Sequence, residues 1–168
     1  MSKFQKIQPE AIQQNPFVLI NKDWMLVTAE KSGKANTMTA SWGGVGILWG
    51  KPVAFIFIRP QRYTKEFLEA GDKFSLSILG EAYRKQLSYL GSVSGRDEDK
   101  ITKSGLTLAH EDDIPYFDEA RLVLTCRKLY AQDLKPECFI DESCANKWYP
   151  AKDYHTMYVA EILEVLEK

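Results

Sequence analysis

Arg59, Arg62 and Thr64 follow directly on the strongest apolar run of the chain, VAFIFI at residues 53–58. Each guanidinium can give two parallel, charge-assisted hydrogen bonds, and a helix that starts at a hydroxyl residue leaves backbone N–H groups free beside them. The triplet is therefore suited to a phosphate. On spacing alone a solvated loop with an ordinary helix cap is the better-supported reading; Arg59's place at the end of a buried strand shifts the balance to the anion site. A second set of candidates lies just upstream. Along Asn36–Trp42 the residues alternate, with Asn36, Met38, Ala40 and Trp42 on one side and Thr37, Thr39 and Ser41 on the other. Small hydroxyl side chains offer short donors and acceptors where bulkier groups would block a flat ligand. The competing reading is an edge strand turned to water.

His155, between Tyr154 and Thr156, is one of only 2 histidines. Taken by itself it reads as a hydrogen-bonded structural residue. Cys138, Cys144 and His155 match no zinc spacing and no fourth ligand is evident, so no metal is expected. The chain has no GxGxxG fingerprint, so a nicotinamide would have to bind without that device.

These candidates need elements to hold them. Phe17–Ile20 is short and β-prone, with a turn at Asn21–Asp23, Trp24–Glu30 is a second strand candidate closed by the polar stretch Lys31–Lys34, and a hairpin is expected in this region. Glycines 43, 44, 46 and 50 predict a bend or bulge before the strand at Val53–Ile58, which is apolar on both faces and should be covered on both. Pro60 stops that strand. A short helix is expected from Tyr63, with Thr64 as N-cap and Gly71 as its stop. Phe74–Leu79 alternates as a strand, and Glu81–Leu90 is a helix ended by Gly91. Ser92–Ser104 reads as a loop with a short helix starting near Asp97. Leu106–His110 is an edge-strand candidate, Glu111–Asp113 a solvated turn and Arg121–Ala131 a long strand. The segment 133–153 is the least regular. Tyr154–Leu166 fits strand or helix by periodicity, and its β-branched first half favours strand. Six or seven strands in an order that does not alternate with helices predict a mainly β fold with short helices, an antiparallel barrel and not a doubly wound sheet.

The 168 residues carry a net charge of -1, which argues against a basic nucleic-acid-binding face, and 12% aromatics, which suits stacking on a flat ligand. One domain is the economical reading. No apolar run approaches the ~20 residues of a membrane helix, and the first residues hold no secretory h-region. The 3 cysteines, without a CxxC pair, fit free thiols in a reducing cytoplasm.

Four motifs occur in one order: NTMTASWGG at 36–44, KPVAFIFIRPQRYT at 51–64, SGRDEDK at 94–100 and DYHTMYVAEI at 153–162. Together they resemble the flavin reductase-like, FMN-binding split-barrel family, in its flavoredoxin-type branch, over roughly Trp24 to Glu164. The resemblance implies an antiparallel split β-barrel, a homodimer, and FMN bound near the subunit interface. It implies that Asn36, Met38, Thr39, Ala40, Ser41 and Trp42 lie along the isoalloxazine and ribityl chain, and that Arg59, Arg62, Tyr63 and Thr64 hold the phosphate. Ser94, Gly95, Arg96 and Lys100 would form a second approach to the cofactor, and DYH puts His155 near the flavin. The expected activity is an FMN-dependent oxidoreductase passing electrons from NAD(P)H or a redox partner to a small acceptor or a protein. An electron carrier without NAD(P)H turnover and a non-redox module for another phosphorylated ligand are the alternatives. No nucleic-acid or membrane partner is expected.

Overall fold

A computed structural model describes residues 3–168. Its strands are β1 (Gln5–Ile7), β2 (Met25–Lys31), β3 (Lys34–Ala40), β4 (Gly43–Leu48), β5 (Lys51–Ile58), β6 (Lys73–Ile78), β7 (Leu108–Glu111), β8 (Ile114–Phe117), β9 (Leu122–Asp133) and β10 (Thr156–Glu167). The helices are α1 (Pro16–Val18), α2 (Tyr63–Ala70), α3 (Arg84–Ser92), α4 (Lys100–Ser104) and α5 (Glu142–Trp148). The main sheet is ordered β3-β2-β6-β9-β10-β5-β4, with β1 added to the far end of β10. Every pairing is antiparallel. This is the expected split barrel: β3 and β4, consecutive in the chain, are the two ends of the sheet order, and Ser41–Trp42 bridge between them.

Alternation along the strands divides the interior in two. Val27, Phe74, Leu76, Ile78, Leu124, Ala54, Ile56, Ile58, Tyr158 and Ala160 face one core, into which α2 inserts Phe67 and Leu68. Leu26 and Val123, on the opposite faces of their strands, join Leu87, Leu90, Tyr116 and Phe117 in a second core under α3 and the β7–β8 hairpin. Full burial of such side chains stabilises by roughly 1.5–3 kcal/mol each. The strands close around the first core with the help of register shifts between β9 and β10 at Val159/Ala160 and Ile162/Glu164; such bulges bend and twist a sheet.

Three hairpins turn through two-residue loops with positive φ at both positions: Ser32–Gly33, Trp49–Gly50 and Asp112–Asp113. This geometry matches the right-handed twist of the flanking strands.

Several expectations are corrected. Phe17–Ile20 is not a strand. Pro16 opens α1, Asn15 accepts from the Phe17 amide at 2.9 Å as a cap, and the chain continues into a π-helical turn at Leu19–Asp23. The glycines at 43, 44 and 46 do not break the sheet; they lie in edge strand β4. Gly43 is needed where β4 crosses β5, since a Cβ there would sit 2.6 Å from the Phe55 carbonyl oxygen. β5 is covered fully on one face and only in part on the other, where Val53 is buried but Phe55 and Phe57 stay partly exposed. Gly91 lies inside α3 and does not end it, and a Cβ on it would come within 3.0 Å of Thr39. Among the described residues ten strands form where six or seven were expected: β1, β4 and β8 were not anticipated. Segment 133–153 contains α5, and β10 runs as strand for its full length.

Candidate functional site

The ends of β3 and β5, the start of α2, the end of α3 and the start of β10 converge at the open seam of the barrel. Two adjoining cavities lie there. One, of about 130 Å³, is lined by Met38, Thr39, Ala40, Ser41, Trp42, Phe57, Arg59, Arg62 and His155. The other, of about 270 Å³, is lined by Asn36, Met38, Arg59, Gln61, Arg62, Tyr63, Thr64, Ser92, Val93, Ser94 and Lys100. Met38, Arg59 and Arg62 border both, so the two form one bent trough. Its size falls in the range of small-molecule sites, roughly 300–1,000 Å³.

The second lobe is cationic, and no acidic residue is among its lining. Arg62 donates to the Gly91 carbonyl at 2.8 Å. Burial, reinforced by the neighbouring Arg59, lowers its pKa. Lys100, only 4% exposed, donates from Nζ to the carbonyls of Leu90 and Val93 at 2.8 Å each. Burial and then Arg62 bring its pKa from 10.5 down to about 8. Both cations thus rest on main-chain carbonyls near the end of α3, where carbonyls are left without helical partners.

Arg59 behaves differently. It pairs with Asp153 at 2.8 Å, donates to the Trp148 carbonyl at 3.0 Å and lies 4.9 Å from the Tyr149 ring centroid. It therefore fastens segment 133–153 to the end of β5 while still bordering both lobes.

Thr64 is not the N-cap of α2; Arg62 occupies that position without a side-chain cap, and Thr64 sits one turn position further in. Its hydroxyl, 1% exposed as a residue, accepts from Asn36 Nδ2 at 2.8 Å. That bond locks β3 to the start of α2. Gly95 completes the arrangement, since a Cβ there would lie 2.2 Å from Asn36 Oδ1 and 3.2 Å from Tyr63 Cδ1. Ser94 lines the lobe, but Arg96 turns away: it stacks over Tyr63 at 4.6 Å and pairs with Glu66 at 2.5 Å. The hydroxyl face of β3 is also used internally. Thr37 meets Thr28 at 2.9 Å and Thr39 donates to the Leu87 carbonyl at 2.5 Å. Thr39 still borders the first lobe, alongside Met38, Ala40, Ser41 and Trp42 of the same run.

His155, 7% exposed, meets the Tyr149 hydroxyl through Nδ1 at 2.5 Å and lies 5.4 Å from the Trp42 ring. Burial and then the charge of Arg59 push its pKa down to about 4, so it is neutral near pH 7. Cys138 and Cys144 are exposed and Cys126 is buried. Trp148 and Tyr149 read from the sequence as either a lid over the ring or plain packing, whereas Gln61 was passed over within RPQR although its amide holds Asp153 at 2.7 Å. Among the described residues no helix is long and apolar enough to cross a membrane.

Residues 19–168 match the family described as the flavin reductase like domain, and the chain belongs to that family. The uncharacterized protein YddH of Escherichia coli (strain K12) is 31% identical over 118 residues, covering 67% of this chain; the chain spans 62% of that relative's length. Among solved structures, an FMN-binding domain of a flavin reductases-like enzyme from Shewanella baltica OS155 superposes with a TM-score of 0.72 at 19% identity, covering 98% of this chain and 76% of the other. Flavoredoxin from Methanosarcina acetivorans gives 0.67 at 24% identity, again covering 98% and 76%. These structural likenesses establish the split-barrel fold.

Proposed function

We propose that the chain binds FMN in the trough and works as an oxidoreductase, taking electrons from NAD(P)H or a redox partner for a small acceptor or a protein. The observation that carries this reading is the buried Lys100 and the partly buried Arg62, resting on carbonyls in a lobe with no acidic lining and joined to a narrow cleft along residues 38–42. A buried ammonium without a counter-anion is unfavourable, and a phosphate dianion is the group that relieves it. Membership of the flavin reductase-like family and the likeness to an FMN-binding domain and to a flavoredoxin support FMN over another phosphorylated ligand.

In this reading Arg59, Arg62, Tyr63, Thr64, Ser94 and Lys100 hold the phosphate, and the start of α2, whose first N–H groups have no helical partner, lines the same lobe. Met38–Trp42 flank the ring and ribityl chain. Asn36 and Gly95 keep β3, α2 and the 93–99 loop in register, and Arg96 braces Tyr63 from outside. FMN, when bound, supplies the hydride and single-electron chemistry that side chains lack. His155 stays neutral, hydrogen-bonded to the Tyr149 hydroxyl through Nδ1 at the wall of the first lobe, and serves there as a polar contact, not as a general base.

A homodimer belongs to the same reading. Among the described residues β4 ends the sheet order; Ile47 on it is 70% exposed and Trp49, in the turn that follows, 59%. Sedimentation should give a dimer and Ile47→Asp should shift it to monomer.

The direct test is an absorbance spectrum after incubation with FMN and removal of the excess, followed by anaerobic addition of NADH or NADPH. Retained flavin near 1:1 that bleaches supports the reductase. Retained flavin that no nicotinamide bleaches makes the protein a carrier, and no retained flavin overturns the reading.

A further inference from the structure

A third cavity, of about 340 Å³, opens beside the trough and is lined by Trp42, Phe139, Cys144, Trp148 and Tyr149. Its volume is at the lower end of small-molecule sites, roughly 300–1,000 Å³. Aromatic rings form all but one of its walls, and none of the lining residues is charged. The rings are held in place before any ligand arrives. Phe139 packs on Tyr149 and Tyr154 at centroid distances of 5.9 and 5.8 Å. Tyr149 is pinned by His155 through its hydroxyl and by Arg59 over its ring. Trp42 meets Trp148 edge-on at 4.9 Å, yet the two remain 39% and 45% exposed. Half-open indoles on a preformed apolar wall lower the ordering penalty for a ring that stacks there.

We propose that this cavity binds a flat, uncharged aromatic or quinonoid ring, as the second reactant of the oxidoreductase; that role rests on the FMN reading above, whereas the binding itself does not. The uncharged class follows from the lining. Two cations in contact with the wall are engaged: Arg59 with Asp153, and Lys147 over the Trp148 ring at 5.0 Å. The placement follows from Trp42, which lines both this cavity and the first lobe of the trough, so one indole separates the two compartments. Segment 133–153, the part of the chain with the weakest sequence pattern, is thereby the specificity element of the site.

The test is a titration of ¹⁵N-labelled protein with duroquinone, whose fully methylated ring resists addition of the Cys144 thiol, read from the indole N–H signals of the 4 tryptophans. The Trp42 and Trp148 signals should shift saturably while those of Trp24 and Trp49 stay in place. Cys144→Phe, at an exposed position on α5, should fill the cavity and weaken binding by ~tenfold or more, and Trp49→Ala should change nothing. Shifts that do not saturate, that spread over all tryptophans, or that persist unchanged in Cys144→Phe overturn the site. An FMN titration of the same sample separates the two claims. FMN uptake without a duroquinone response refutes the cavity assignment alone. A duroquinone response without FMN uptake keeps the ligand class and removes the role as second reactant.

Discussion

Lys100 makes FMN affinity depend on pH in a direction that can be worked out. Its ammonium is held on two carbonyls in a lobe without acidic lining, and its pKa stands at about 8 instead of 10.5. Holding the charge there costs about 3 kcal/mol relative to water. A phosphate that restores the ordinary pKa returns this energy to binding, up to about 300-fold in affinity near pH 7. As pH rises through about 8 the free protein loses the proton while the complex keeps it, so affinity should fall about tenfold between pH 7 and 9. The free protein shows the opposite sign. Its folded state binds fewer protons than the unfolded chain between about 8 and 10.5, so this lysine's unfavourable contribution fades as pH rises. Fluorescence titration of FMN across this range gives the profile, and Lys100→Met should flatten it while weakening binding at pH 7. A wild-type affinity that does not change with pH, or an equal slope in Lys100→Met, would refute the reasoning.

Other outcomes follow from the same structure. His155, with its pKa pushed down to about 4 from 6.5, should cost the fold up to about 3 kcal/mol as pH falls through that window; His155→Gln should remove this acid sensitivity in urea unfolding curves. Gly95→Ala forces a methyl group against Asn36 Oδ1 and should destabilise by about 1–3 kcal/mol in thermal unfolding, while also loosening FMN through the Asn36–Thr64 bond. Of the 3 thiols, Cys138 and Cys144 should react promptly with Ellman's reagent in the native protein, whereas Cys126, buried and with its pKa raised, should react only on unfolding.

What the sequence disclosed tracks how local the cause is. Val53–Ile58 and Arg121–Ala131 announce themselves as strands because apolar β-formers fill them, and four motifs in one order led to the split barrel. Phe17–Ile20 misled because a capping Asn15 and Pro16 override β-prone side chains. β4 was hidden because it is rich in glycine, and the glycine it requires, Gly43, answers to the Phe55 carbonyl of the paired strand and not to any local pattern. β8 was hidden by Pro115 in a four-residue strand. At the site, Arg59, Arg62 and the 36–42 run were legible as chemistry. Thr64 was legible as a hydroxyl but not as the partner of Asn36, and the strapping of Arg59 to Asp153 spans a sequence separation of 94. The burial of Lys100 comes from packing of α3 and α4, which no spacing in SGRDEDK reveals.

The central claim is that the cationic lobe holds a phosphate, and comparing FMN with riboflavin tests it most directly. Affinities of both should be measured for the wild type and for the Arg59→Ala, Arg62→Ala double variant, with folding checked by circular dichroism. The wild type should prefer FMN by about 100-fold or more, as expected for several charge-assisted hydrogen bonds, and the double variant should lose most of that preference. A wild type that binds riboflavin as tightly as FMN would contradict the account.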